Sequence, residues 1–188
     1  FEASPVEIGS GKSTIYNLTL NGLMYKDNSL GIFSFDSSDI EIIKLNCKGT
    51  LKSTLFKGTV TGFSLKESTI QNFQKDDTHD IRSAIFLSHL TCENKDVEFT
   101  FHNNTFKDNK IPVFELASEI DCNVKVSESI FTNNKASSGS CILISDLTSS
   151  KSAKKIIIHN NTFTENENTG RSGVIKGALY VNTAQATF

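Results

Sequence analysis

The chain has 188 residues and a formal net charge of -2, with 19 Lys and Arg against 21 Asp and Glu, so it offers neither a basic field for nucleic acid nor an acidic tail. Ser, Thr and Asn number 23, 18 and 17, Trp is absent, and 14 residues are Phe; the small polar side chains compete for helical backbone hydrogen bonds, so composition favours short strands joined by polar turns. No apolar run reaches the roughly 18 residues of a membrane-crossing helix.

In chain order, the sequence opens at Phe1 without an initiator Met or an apolar leader, as a processed chain or a portion of a longer one does. Residues 1–14 are polar and lead into the repeats. Within them GSGKST (9–14) imitates the end of a phosphate-binding loop, but Val6 stands where the loop needs its first Gly. Residues 15–20 alternate like a strand rather than opening a helix, so nucleotide binding is not expected.

A repeat then sets the architecture. VEFTFHNNTFKDN (97–109), VKVSESIFTNN (124–134) and IIIHNNTFTEN (156–166) share alternating apolar residues, a five-residue step to Phe and an Asn three residues on. The triplets are Phe101/Phe106/Asn109, Val126/Phe131/Asn134 and Ile158/Phe163/Asn166. Weaker copies are expected at Leu20/Tyr25/Asn28 and at Leu65/Ile70, where Phe73 takes the Asn position, with one degenerate copy in IEIIKLNCKGTLKS (41–53 with Ile40). A second apolar block recurs as GIFSF (31–35), AIFLS (84–88), PVFEL (112–116), CILIS (141–145) and ALYV (178–181). Residues 74–82 and 147–155 are expected as loop insertions.

A unit this short cannot close its own core and must stack on copies of itself. The expected fold is therefore all-β, a right-handed parallel β-helix (β-solenoid) of about six coils spanning residues 1–188 as one domain or segment. Tyr25, Ile70, Phe106, Phe131 and Phe163 are expected to form an inward ladder. Asn28, Asn109, Asn134 and Asn166 are expected at sharp corners, where Asn tolerates left-handed angles and stacks by side-chain hydrogen bonds.

The motif Phe-x-x-Asn, standing as Phe106-Lys-Asp-Asn109, Phe131-Thr-Asn-Asn134 and Phe163-Thr-Glu-Asn166 and followed by Gly177-Ala178-Leu179, resembles the repeats of polymorphic outer-membrane proteins and related pectin-lyase-type β-helix proteins. Such repeats also occur in surface proteins of unicellular eukaryotes. The resemblance implies the fold and a surface location; Lys176 interrupts the family's Gly-Gly-Ala signature.

Pectin-degrading members of that class imply clustered carboxylates with a nearby base. The comparable cluster is Asp76, Asp77, His79, Asp80 and Arg82, yet it lies in one insertion, whereas a solenoid site draws ligands from neighbouring coils. His102 and His159 share a repeat position, but Ser127 separates them, so they cannot share a metal ion. No catalytic residue, cofactor or metal is expected. The expected function is a non-enzymatic, extracellular or cell-surface structural or adhesive element, with a carbohydrate-active enzyme or carbohydrate-binding module using the 76–82 loop as the alternative.

Three sequons, at Asn17, Asn103 and Asn160, mark expected glycosylation sites. Cys92 and Cys122 follow successive apolar blocks at nearly equal distances and are expected to form a disulfide, with Cys47 and Cys141 left unassigned. Expected partners are covalent N-glycans and further coils or copies of the chain joined end to end into a filament, not nucleic acid.

Overall fold

A computed structural model describes residues 6–21, 32–49, 54–74, 83–90, 98–120, 122–136, 140–146, 154–169, 178–182 and 186–187. Every regular element among them is a strand, and the strands fall into successive units. The first holds β1 (Val6–Ile8), β2 (Gly11–Tyr16) and β3 (Thr19–Asn21). The second holds β4 (Phe33–Ile43) and β5 (Asn46–Lys48), and the third β6 (Phe56–Lys66) and β7 (Thr69–Gln71). The fourth holds β8 (Ile85–Leu90), β9 (Glu98–His102) and β10 (Thr105–Lys107). The fifth holds β11 (Phe114–Ile120), β12 (Asn123–Ser127), β13 (Ile130–Thr132) and β14 (Lys135–Ala136). The sixth holds β15 (Ile142–Asp146), β16 (Lys154–His159), β17 (Thr162–Thr164) and β18 (Glu167–Asn168), and β19 (Leu179–Asn182) and β20 (Ala186–Thr187) follow.

All pairings are parallel and join a strand to its counterpart in the next unit. The short strands β3, β5, β7, β10, β13 and β17 make one six-stranded sheet, and the others make a twelve-stranded and a two-stranded sheet. In the second and third units one eleven-residue strand does the work that two strands share elsewhere: β4 pairs with both β1 and β2, and β6 with both β8 and β9. The architecture is all-β, with parallel strands in stacked sheets, compatible with a parallel β-helix.

Alternation explains the core. Each strand of the six-stranded sheet, the third sheet, points one apolar residue inward between two outward residues that are polar except for Ile130. In register order these inward residues are Leu20, Cys47, Ile70, Phe106, Phe131 and Phe163. The column that opens β4, β6, β8, β11, β15 and β19 is Phe33, Phe56, Ile85, Phe114, Ile142 and Leu179. Ring stacking links units: Phe101 to Phe114 at 4.5 Å between centroids, Phe106 to Phe131 at 4.9 Å, and Phe131 to Phe163 at 4.8 Å.

Two sequence expectations shift here. The five-residue step holds throughout, but the first copy begins at Ile15/Leu20: Ile15 pairs with Ile42 and Leu20 with Cys47. Leu20 thus occupies the position expected of Tyr25; Tyr25 and Asn28 themselves lie outside the described residues. Tyr25-Lys-Asp-Asn28 spells the motif by composition, whereas the inward pattern that determines the register runs five residues earlier. Strand structure also begins sooner than Ile15, since β1 and β2 occupy much of the lead-in at 1–14. Of the two expected insertions, residues 75–82 and 147–153 lie outside the described residues, Gln74 carries no strand, and Lys154 and Lys155 belong to β16.

Candidate functional site

Among the described residues, polar side chains with ordered partners gather at two bends, a left-handed residue marking the first in six units and the second in units three to six. At the first bend, between the twelve-stranded and the six-stranded sheet, Asn17, Lys44, Glu67, Asn103, Glu128 and Asn160 follow one another along the stack. The amide of each of the first five donates to the unit above, from Asn17 N to Ile43 O at 3.0 Å up to Glu128 N to His159 O at 3.3 Å. All six have positive φ, 53° at each of the three Asn, and all are exposed. At the second bend Asn72, Asp108, Asn133 and Glu165 also have positive φ. A left-handed residue turns the chain sharply and sends the next side chain inward.

That next residue carries a ladder. At the second bend Asn109 Nδ2 donates to Asn134 Oδ1 at 2.8 Å, and Asn134 Nδ2 to Asn166 Oδ1 at 2.9 Å. The Oδ1 atoms of all three Asn accept backbone amides that the bend has turned away from any carbonyl: Phe73 N to Asn109, Asn109 N to Asn134, and Asn134 N to Asn166, at 3.0–3.2 Å. The amide groups also donate to Ile70 O, Phe106 O and Phe131 O. Phe73 takes the Asn position in the third unit, as its spacing suggests, and supplies the amide without the side chain. The corner role therefore divides: Asp108, Asn133 and Glu165 adopt the left-handed angle, and Asn109, Asn134 and Asn166 do the stacking. The expectation that one Asn did both is corrected.

A second ladder, which the sequence reading missed, follows the first bend. Leu45 N donates to Ser68 Oγ, Ser68 N to Asn104 Oδ1, Asn104 N to Ser129 Oγ, and Ser129 N to Asn161 Oδ1, at 2.9–3.2 Å. Its signal was the second Asn of each Asn-Asn-Thr, hidden because the sequon draws attention to the first. In each such pair the two amides differ. Asn104 and Asn161 donate to Leu65 O and Val126 O at 2.8 Å. The side chains of Asn103 and Asn160 make no hydrogen bond among the described residues and face solvent.

Before, at and after the bends, outward charges pair across units. Lys66 reaches Glu41 at 2.9 Å, Lys135 reaches Glu167 at 3.2 Å, and Lys44 lies 3.9 Å from Glu67 and over the Tyr16 ring. Such exposed pairs contribute about 0–1 kcal/mol each. His102 and His159 flank Ser127 in register, and His102 Nδ1 meets Ser127 Oγ at 3.1 Å. Among the described residues no group of three or more His, Cys, Asp or Glu is placed to hold a metal ion. The cluster at 76–82, including His79, lies outside the described residues, as does Cys92.

Cys47 and Cys141 are free and buried in inward columns, Cys47 between Leu20 and Ile70. Burial pushes the Cys47 thiol up to about 12. It does the same to Cys141, also to about 12, against the opposing pull of hydrogen bonds from Ser140 and Asn134. Such thiols are poor nucleophiles. Cys122 is disulfide-bonded.

The chain matches no family model, no curated protein and no solved structure.

Proposed function

We propose that this chain is a non-enzymatic, extracellular structural or adhesive element: a right-handed parallel β-helix of about six coils whose repeats are of the pectin-lyase type, carrying N-glycans and joining end to end into a fibre or longer array. The observation that supports this reading is the use made of polar side chains. At both bends they hydrogen-bond along the stack, so the inward polar side chains serve continuity between units.

End-to-end joining draws support from the outermost strands of the third sheet, β3 and β17. Phe163 in β17 stacks on Phe131 yet remains 37% exposed, an apolar rung suited to a further rung. A Cys92–Cys122 disulfide belongs to the same reading. Cys122 is disulfide-bonded while Cys47 and Cys141 are free, and an oxidised pair suits an extracellular protein.

The test pairs imaging with an activity assay. Electron microscopy of native material is expected to show elongated particles, and incubation with uronic-acid polysaccharides to release no oligosaccharide. Release that disappears in Asp77→Ala would establish the carbohydrate-active alternative at the 76–82 loop instead.

A further inference from the structure

We infer that the three sequons form one continuous glycan rail along the first bend, with Asn17, Asn103 and Asn160 as the attachment points. The inference deepens the extracellular reading and rests on it, because the modification requires a secretory compartment. Its basis is a register that the sequence displays for Asn103 and Asn160 and that the structure extends to Asn17. All three sequon Asn share one column and one backbone conformation, φ 53°. The threonines two residues on, Thr19, Thr105 and Thr162, likewise share one outward column of the third sheet, in the order Thr19, Asn46, Thr69, Thr105, Ile130, Thr162.

The left-handed bend by itself accounts for Asn but not for Thr. The second bend is an internal control. It too places Asn at positive φ, at Asn72 and Asn133, but the residues two further on are Gln74 and Lys135. Asn133 moreover uses its amide on Asp108 Oδ1 at 2.7 Å. Only at the first bend does an exposed Asn meet a hydroxyl residue two positions on, and this holds at all three of its Asn. The units between them carry Lys44, Glu67 and Glu128, residues that keep the column solvated.

The acceptor chemistry is that of a lipid-linked oligosaccharyl pyrophosphate. Asn Nδ2 attacks the sugar C1; the C1–O bond breaks as the Nδ2–C1 bond forms, one Nδ2 proton is lost, and the lipid pyrophosphate departs. At the strand repeat of about 4.8 Å, Asn17 and Asn103 stand about 14 Å apart and Asn103 and Asn160 about 10 Å apart. Glycans so spaced close one lateral corner to packing while leaving end-on contacts open.

The experiment maps glycopeptides of the chain recovered from its own cells, and of Thr105→Ala and Thr162→Ala variants expressed in those cells. The expected result is glycan at all three Asn, with each variant losing one glycan at an unchanged urea midpoint, because neither threonine is part of a ladder. Unmodified Asn103 and Asn160 on chain recovered outside the cell would overturn the rail and leave the extracellular reading standing. Chain recovered only from the cytosol would overturn both.

Discussion

At the scale of single residues, the largest commitments are the buried amides. Asn134 is fully buried, donates to Phe106 O and Asn166 Oδ1, and accepts from the backbone and side chain of Asn109. Removing it in Asn134→Ala leaves several buried polar groups without partners, at about 1–3 kcal/mol each. The urea midpoint should fall sharply, and a change no larger than that of Asn133→Ala would contradict the ladder. Glu128 poses the opposite case, an exposed side chain at φ 53°. Glu128→Gly relieves a left-handed cost of about 1–2 kcal/mol against Gly's greater unfolded-state entropy, so the net change is expected to be neutral to mildly stabilising.

The two buried thiols impose a pH dependence whose sign follows from their direction of shift. An ordinary thiol ionises near 9.0, and Cys47 and Cys141 are each raised to about 12. Below pH 9 both folded and unfolded chains keep these protons, and the contribution is fully present. Between pH 9 and about 12 the unfolded chain ionises first, so stability falls by up to about 1.4 kcal/mol per pH unit per thiol. Comparing urea midpoints of the native chain and a Cys47→Ala/Cys141→Ala double variant isolates this from Lys and Tyr. The native curve should fall more steeply above pH 9, and parallel curves would overturn the assignment.

At the scale of elements, the junction of β4 and β6 depends on close backbone approach. Gly58 has φ +139°, and a Cβ there would press into the backbone of Phe35. Gly58→Ala is expected to cost well over about 1 kcal/mol. At Gly62 the added methyl meets only the carboxylate of Asp39, the exposed partner of Lys12, which can swing aside. Gly62→Ala should be nearly neutral by thermal denaturation, and equal losses at both positions would refute this geometry. Within the aromatic stack Phe131 has a ring on each side, so Phe131→Ala should cost about 3–5 kcal/mol. Phe163→Ala, with one ring neighbour and partial exposure, should cost less.

What the sequence disclosed at this scale, and what it hid, has physical reasons. The five-residue step is legible because it links two inward positions across a fixed bend, and Phe at the second position makes it conspicuous in the last three units. Earlier units put Leu20, Cys47 and Ile70 there, and without Phe the first copy's composition points five residues beyond its true register. Splitting of the corner role between Asp108 and Asn109, or Asn133 and Asn134, was not legible either. Adjacent polar residues look alike in composition, and only the backbone angle decides which one faces inward. The second ladder was obscured for the same reason, since Asn104, which is buried, and Asn161, which is half-buried, are members of Asn-Asn pairs whose first residues are exposed.

At the scale of the whole molecule, equivalent residues of successive units lie in register along the stack, in parallel. The Asn ladders and the sequon column both depend on this register. It is tested most directly by paired cysteines on the outward face of the third sheet. Lys107 and Thr132 are register partners in β10 and β13, whereas Lys107 and Ile130 are offset by two residues. Partners across a parallel pair lie about 4.8 Å apart and the offset pair about 8 Å, beyond the reach of a disulfide. Under mild oxidation, Lys107→Cys/Thr132→Cys should form an intramolecular crosslink identified by peptide mapping, and Lys107→Cys/Ile130→Cys should not. Crosslinking of the offset pair, with the register pair left reduced, would contradict the stacking.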